Sequence, residues 1–499
     1  MTTGNILFIT LDQLRADLIA GPLAKHVPTP NIDRLAGEGV LFENHFTVTV
    51  PCGPARASLM TGLYAMNHRS IRNGTPLARH HATLGMEMRK CGYEPLLFGY
   101  TDATPDPTGM DPEDPDLTIY EGVSPGFREL VEMRLDAGLE WPAFLVSRGH
   151  DLRHEPGVKV PSLFRPVPRH GDAPAINDPA RYSAEESDTA YLTDRTLAAL
   201  AVRANRPWFA HLTYIRPHPP LVAPAPYNTM VDPAALPAPH RDAPSHPFLD
   251  AWFSAPSNTG LFWGFDGDCA GLDDARTAQL RAVYAGLVAE VDHHLGRVLD
   301  FLDTSGQADN TLVILTADHG EMLGDKRMWG KDSVFDPAFH VPLILRGPGI
   351  DGSGRRVGHL TESVDIAPTI LRFAGRDAPA AMDGAPLQDL LAGAKPPRRH
   401  VFMEADFSQP GKPTRYQRTL GLDENRCNAA ILREARWKYV HFGGGVPPML
   451  FDLASDPQET TNLAADPAHA AEMSRLRAAM LDHVSERRDR RLTGMSYGV

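Results

Sequence analysis

Four cysteines in 499 residues, scattered at Cys52, Cys91, Cys269 and Cys427, are too few for a disulfide framework to hold the fold. Excess positive charge is missing as well. Forty-nine Lys and Arg face 62 Asp and Glu, a formal net charge of −13, so nothing offers a basic footprint to nucleic acid. No apolar stretch reaches the roughly 18 residues that a bilayer span needs. The opening run Ile6-Leu7-Phe8-Ile9 lacks the basic leader and cleavage site of a signal peptide. The chain is therefore expected to be soluble and cytoplasmic, without a membrane partner. Internal repeats and low-complexity tracts are also lacking. What is present is ordinary globular composition, 42% hydrophobic and 22% charged, long enough for one large domain plus an appendage. If so acidic a chain is an enzyme for an anion, it must gather positive charge locally, through a metal and a few bases.

Short apolar runs alternate with helical patterns, which is how an α/β sheet reads. Ile6–Thr10, Pro95–Tyr100, Trp208–Tyr214, Thr311–Thr316 and Val341–Arg346 are candidate strands. Asp188–Ala204 and Asp273–Asp303 are candidate amphipathic helices. In the second, Leu280, Val283, Leu287, Val291, Leu295, Val298 and Leu302 recur at helical spacing, and Gly306 follows as a stop. A mostly parallel sheet sandwiched by helices is the economical arrangement. Residues 102–180 and 217–271 are rich in Pro, Asp and Gly and read as insertions over the active edge, with some helix inside. A break near Ala392–Arg399 suggests a boundary between a large α/β domain, 1–395, and a C-terminal subdomain, 396–499. In the latter, Arg436–Phe442 and Met449–Leu453 form a predicted antiparallel hairpin. A helix over Pro467–Glu486 follows, capped by Asp466 with Pro467 at its first position.

In such a sheet, ligands bind beyond the carboxyl ends of the strands. Asp12 and Gln13 follow the first strand, Asp318 and His319 follow Thr311–Thr316, His218 lies in the loop after Trp208–Tyr214, and Tyr100 ends its own strand. Strand-end Asp and His often only cap helices; several at one edge are more persuasive. Asp12, Asp318 and His319 form a divalent-metal set, with Gln13 as a fourth ligand through its carbonyl. Oxygen ligands suit Ca²⁺, Mg²⁺ or Mn²⁺, and an imidazole moves the preference towards Mn²⁺, Fe²⁺ or Zn²⁺. Mn²⁺ is favoured over Ca²⁺.

The sharpest local feature is Pro51-Cys52-Gly53-Pro54-Ala55-Arg56-Ala57-Ser58, which leads into a helix carrying Leu59, Met60 and Leu63. Cys52 sits near that helix's N-terminus, where free amides favour an anion. Arg56, four positions on, shares its face and is placed to fix the Cys52 side chain.

Cys52-Gly53-Pro54-Ala55-Arg56, continued by Thr61-Gly62, resembles the Cys-X-Pro-X-Arg modification motif of the sulfatases, in which the Cys is oxidised to formylglycine. The resemblance continues through Thr316-Ala317-Asp318-His319-Gly320-Glu321, Ser363–Thr369, Lys438-Tyr439 and Leu450-Phe451-Asp452-Leu453. It implies the alkaline phosphatase/sulfatase superfamily fold: a large α/β domain with a smaller C-terminal sheet-plus-helix subdomain. Within it, Cys52–Tyr64, Met66–Arg69, Arg216–Pro220, Gly330-Lys331, Gln13 and His319 look like the bacterial phosphonate monoester hydrolases, which also cleave phosphodiesters. Asp102 departs from that branch, which more often has a small hydroxyl residue there. Residues 105–180 match least.

The resemblance implies a small anionic ester as substrate and a formylglycine-generating enzyme as maturation partner. It also makes Cys52 both nucleophile precursor and metal contact. An aldehyde at position 52 hydrates to a diol, one hydroxyl attacking and the other later expelling the product anion. Arg56 would orient it. Lys331 and His218 are the candidates for stabilising charge and the leaving group, and Asn73, Tyr100 and Asp102 the candidates for substrate contact. Relatives use C-terminal regions in oligomer contacts, so a homotetramer built partly on the Arg-rich Ser485–Val499 tail is expected. Two other readings stand beside this one: a sulfatase proper, and a catalytically silent metal–anion binding protein in which Cys52 stays a thiol.

Overall fold

The computed structural model describes residues 4–489 apart from 136–137, 153–159, 170–174, 204–205, 258–259, 351 and 395–397. The expected division at 395/396 and most of the expected oligomerisation tail lie outside the described residues. Among the described residues, nine strands precede position 395: β1 (Asn5–Leu11), β2 (Val40–Phe46), β3 (Thr49–Val50), β4 (Pro95–Gly99), β5 (Arg128–Glu132), β6 (Phe209–Tyr214), β7 (Thr311–Ala317), β8 (Leu343–Arg346) and β9 (Arg355–Glu362). All but β3 form one eight-stranded sheet in the order β5-β4-β6-β1-β7-β8-β2-β9. Its pairs are parallel except those that β8 makes with β7 and β2. The expected mostly parallel sheet is thus observed.

β1 is buried along its whole length because it lies between two layers. Leu7, Ile9 and Leu11 join the core on one face, and Ile6 and Phe8 the core on the other, the alternation that a period of two imposes. Helices α1 (Cys52–Thr61), α2 (Asp188–Ala201) and α3 (Asp274–Thr304) pack against the sheet. Asp273 caps α3 by accepting from the Arg276 amide. Among the described residues no helix is long and apolar enough to cross a membrane.

The strands missing from the sequence reading have visible causes. β5, inside the 102–180 insertion, and β9 are edge strands with charged, partly exposed residues such as Arg128, Glu129, Arg355 and Arg356. Such edges show no hydrophobic period. β2 is interrupted by Glu43 and Asn44 at a shift of register, which breaks its alternation.

A second sheet follows, built from β10 (His400–Asp406), β11 (Asn428–Glu434), β12 (Trp437–Phe442) and β13 (Met449–Asp452), in the order β13-β12-β11-β10-β3. The hairpin β12–β13 is as expected. The short strand β3, running parallel to β10, is drawn from just before Cys52, so this sheet is neither wholly C-terminal nor wholly antiparallel. The terminal helix α4 (Ala470–Arg487) covers it with Leu476 and Met480, and Asp466 caps the turn that leads in.

Lys438 on β12 ties the second sheet to the segment that carries Asp336. Its fully buried ammonium lies 2.7 Å from Asp336 Oδ1 and 2.5 Å from Glu459 Oε1. Removing one partner of such a group strands the others without compensation. Lys438→Met is therefore expected to lower unfolding stability by about 3–5 kcal/mol, measured by urea denaturation; a loss within the error of the wild-type midpoint would contradict this role.

Candidate active site

The ends of β1 and β7 are neighbours in a parallel pair, so Asp12 and Asp318, each the next residue along, are brought together by register alone. α1 starts at the same edge and delivers Cys52. In Asp12, Cys52, Asp318 and His319 the ligand atoms all lie within 4.8 Å of one another, and all four residues are buried. Cys52 Sγ is 3.1 Å from His319 Nε2 and 4.0 Å from Asp12 Oδ1. His319 Nδ1 faces the Gly320 carbonyl at 3.0 Å, and only a protonated nitrogen can donate there. Nδ1 is therefore the donor, and Nε2 is the ring atom turned to Cys52, Asp12 and Asp318. Two carboxylates, a correctly oriented imidazole and a sulfur position gathered around one point fit a divalent cation.

Arg56 holds this arrangement. Its side chain is fully buried, with Nε 2.9 Å from Asp318 Oδ2 and one terminal nitrogen 3.2 Å from Asp12 Oδ2. The other donates to Thr213 Oγ1 at 2.7 Å. The expectation that Arg56 fixes Cys52 is corrected here: the long side chain passes beyond its neighbour on the helix and ties down the carboxylates. Tyr100, expected as a substrate contact, also donates its hydroxyl to Asp12 Oδ2 and is 1% exposed. Asp102 is buried too, with its Oδ2 at 3.5 Å from Arg56 Nε. Burial pushes its carboxyl well above the usual range.

Burial alone would raise the Asp12 carboxyl, but His218, Arg56, His319 and Lys331 outweigh it and hold it below the usual range. Burial and the Lys331 ammonium push His218 itself down to about 3. It is therefore neutral at pH 7, whereas Arg56 and Lys331 are permanent cations beside Asp12. Burial and then the Asp12 carboxylate push the Cys52 thiol well up. The helix start, expected to favour an anion there, is overridden.

Lys331 extends over the same group. Its Nζ donates to Gln13 Oε1 at 2.7 Å and to His218 Nε2 at 3.0 Å. Gln13, expected as a metal ligand, thus spends one lone pair on Lys331, and its amide nitrogen meets Glu321. Its left-handed backbone, φ 69°, turns the chain so that its own amide donates to Asp318 Oδ1 at 3.1 Å. Asn73 Oδ1 accepts from the Gly53 amide at 2.9 Å and steadies the start of α1. Lys331, His218, Gln13 and Asn73 all line a cavity of about 1030 Å³.

Three supporting residues escaped the sequence reading as site residues. Thr213 carries Arg56, Glu321 accepts from the Gly330 amide beside Lys331, and Arg216 donates to the His218 and Pro220 carbonyls at 3.1 and 2.9 Å. Arg216 and Glu321 had a signal, since both lie in segments that carry the family resemblance. Nothing local marks Thr213, which lies within β6.

The sulfatase family profile matches residues 4–376, and that of the N-sulphoglucosamine sulphohydrolase C-terminal region matches 324–486. The multifunctional alkaline phosphatase superfamily protein PehA of Trinickia caryophylli is 39% identical over 94% of this chain and 93% of its own length. The phosphonate monoester hydrolase SpPMH from Silicibacter pomeroyi superposes with a TM-score of 0.93 at 47% identity, covering 99% of this chain and 98% of that one. The phosphonate monoester hydrolase of Agrobacterium radiobacter gives 0.92 at 40%, with the same coverage.

Since Tyr100 touches Asp12 rather than open space, its hydroxyl should matter to a cation held there. Tyr100→Phe is expected to weaken Mn²⁺ binding about 10- to 100-fold, measured by calorimetry on metal-stripped protein. Unchanged affinity with a raised KM would return Tyr100 to the substrate.

Proposed function

The chain belongs to the sulfatase family of the alkaline phosphatase superfamily and is an ester-bond hydrolase; from that premise we propose that it cleaves phosphonate monoesters and phosphodiesters, with sulfate esters as slower substrates. The observation that carries the proposal is the buried meeting of Asp12, Asp318, His319 and Cys52 beneath Lys331. Whole-length likeness to two phosphonate monoester hydrolases supports the choice of substrate.

Asp12, Asp318, His319 and the side chain at position 52 would hold one divalent cation, Mn²⁺ by preference because an imidazole joins the carboxylates. With Cys52 converted to formylglycine by a generating enzyme, that cation would supply a strongly nucleophilic oxygen at neutral pH. Arg56 and Tyr100 fix Asp12, and Arg56 and the Gln13 amide fix Asp318, so the cation's ligands need not reorganise. Lys331 opposes negative charge on the transferred group and on the departing oxygen. Burial costs it part of its hold on the proton, but the negative groups around it, Asp12 and Asp318 among them, more than restore it, so it acts as a fixed cation rather than an acid. His218, with Nδ1 facing the Pro219 carbonyl at 2.6 Å and Nε2 accepting from Lys331, aims that ammonium. Homotetramer assembly and a cytoplasmic location are part of the same proposal.

Three measurements test it. The peptide containing Cys52, from protein made with the generating enzyme, is expected to have lost sulfur and two hydrogens and gained oxygen. An unchanged thiol there would favour the silent binding protein. Among phenyl esters, kcat/KM is expected to be higher for the phosphonate monoester and the phosphodiester than for the sulfate; a much faster sulfate reaction would make the enzyme a sulfatase proper. Lys331→Ala is expected to lower kcat about 10²–10³-fold, and a mere rise in KM would show that Lys331 only binds substrate.

A further inference from the structure

The cavity above Lys331 contains more positive charge than a singly charged ester group uses. Five cationic side chains but only two carboxylates line it, in a protein whose net charge is −13. Lys331 faces the reacting group, and Arg72 is paired with Asp406 at 3.1 Å. The other three, Lys412, Arg415 and Arg418, come from one short stretch that follows β10, and no ion pair joins any of them to a carboxylate among the described residues.

Arg415 is the clearest of the three. One terminal nitrogen donates to the Trp252 and Ala255 carbonyls, both at 2.7 Å, and the other to the Pro256 carbonyl at 3.1 Å. Carbonyl oxygens fix the direction of a guanidinium but leave its charge uncancelled. Lys412 and Arg418 flank it, exposed at the cavity wall. Trp329 also lines the cavity, 1% exposed, and its indole N–H has no partner among the described residues. A buried donor left unsatisfied is costly. Trp252 and Tyr416 add aromatic surface between these groups.

The direction of displacement links this wall to the reaction. Attack from the side chain at position 52, deep at the sheet edge, drives the leaving oxygen out on the opposite side, towards the cavity. We infer that Lys412, Arg415 and Arg418 form a subsite for a second anion, carried by the leaving alcohol on an aromatic or apolar body. The inference rests on the ester hydrolysis proposed above and narrows its substrates to esters whose leaving group bears a carboxylate or phosphate.

The test compares two phenylphosphonate monoesters, of 4-hydroxybenzoate and of 4-hydroxybenzamide, alike in shape and differing in one charge. With the mature, metal-loaded enzyme, kcat/KM is expected to favour the benzoate ester about tenfold, the size that a few partly exposed charge pairs produce. That preference should fade as ionic strength approaches about 1 M, where the screening length is about 3 Å. In Lys412→Ala/Arg418→Ala and separately in Arg415→Met, the ratio of the two esters should fall towards unity. A ratio at or below unity in the native enzyme, or one that survives in both variants, overturns the subsite. Calorimetry with the free phenols separates this from the reaction itself. Tighter binding of 4-hydroxybenzoate than of 4-hydroxybenzamide supports the subsite even if neither ester turns over, and equal binding sinks it even if both do.

Discussion

One buried guanidinium organises the chemistry. Arg56 has no access to solvent and sits between Asp12 and Asp318, with Thr213 beneath it. It therefore ties the ends of β1, β7 and β6 to the helix that starts at Cys52. Two carboxylates this close would repel each other strongly in a low dielectric. The guanidinium's planar fork meets both at once, a geometry that a lysine does not reproduce. Register supplies the rest. β1 lies between β6 and β7, so residues one step past each strand end fall into the same small space without any long loop to position them.

That dependence explains what could be read from sequence. Strands buried on both faces, such as β1 and β7, appear as continuous apolar runs, and the polar residues that follow them stand out: Asp12, Asp318 and His319 were visible for that reason. The motif around Cys52 was visible through family resemblance. Edge strands β5 and β9 were not, because charge on an exposed edge erases the period. Partners were harder than positions. Helical spacing pairs Arg56 with Cys52, yet only the packed structure shows the guanidinium reaching the sheet edge. Spacing likewise cannot reveal that Tyr100 turns down to Asp12 or that Gln13 faces Lys331, since those contacts span long intervals of sequence.

His218 illustrates how the surroundings decide a role. Its ring is flanked by a carbonyl on one nitrogen and an ammonium on the other; burial and the ammonium favour the neutral imidazole and outweigh the carbonyl, which favours the protonated ring. Arg216, packed 3.6 Å above the Phe164 ring, fixes the backbone of the same loop. The aim of Lys331 thus rests on side chains that never meet the substrate.

The cavity has a second owner. Its floor follows strands of the large sheet, but the stretch 406–418 that forms one wall follows β10 of the smaller sheet, which the buried Lys438 helps to join to the rest. Loosening that junction would disturb recognition, whereas the edge that carries Asp12 and Asp318 is anchored in the large sheet. Heating should therefore silence the enzyme before the main sheet melts, with lost turnover preceding lost structure.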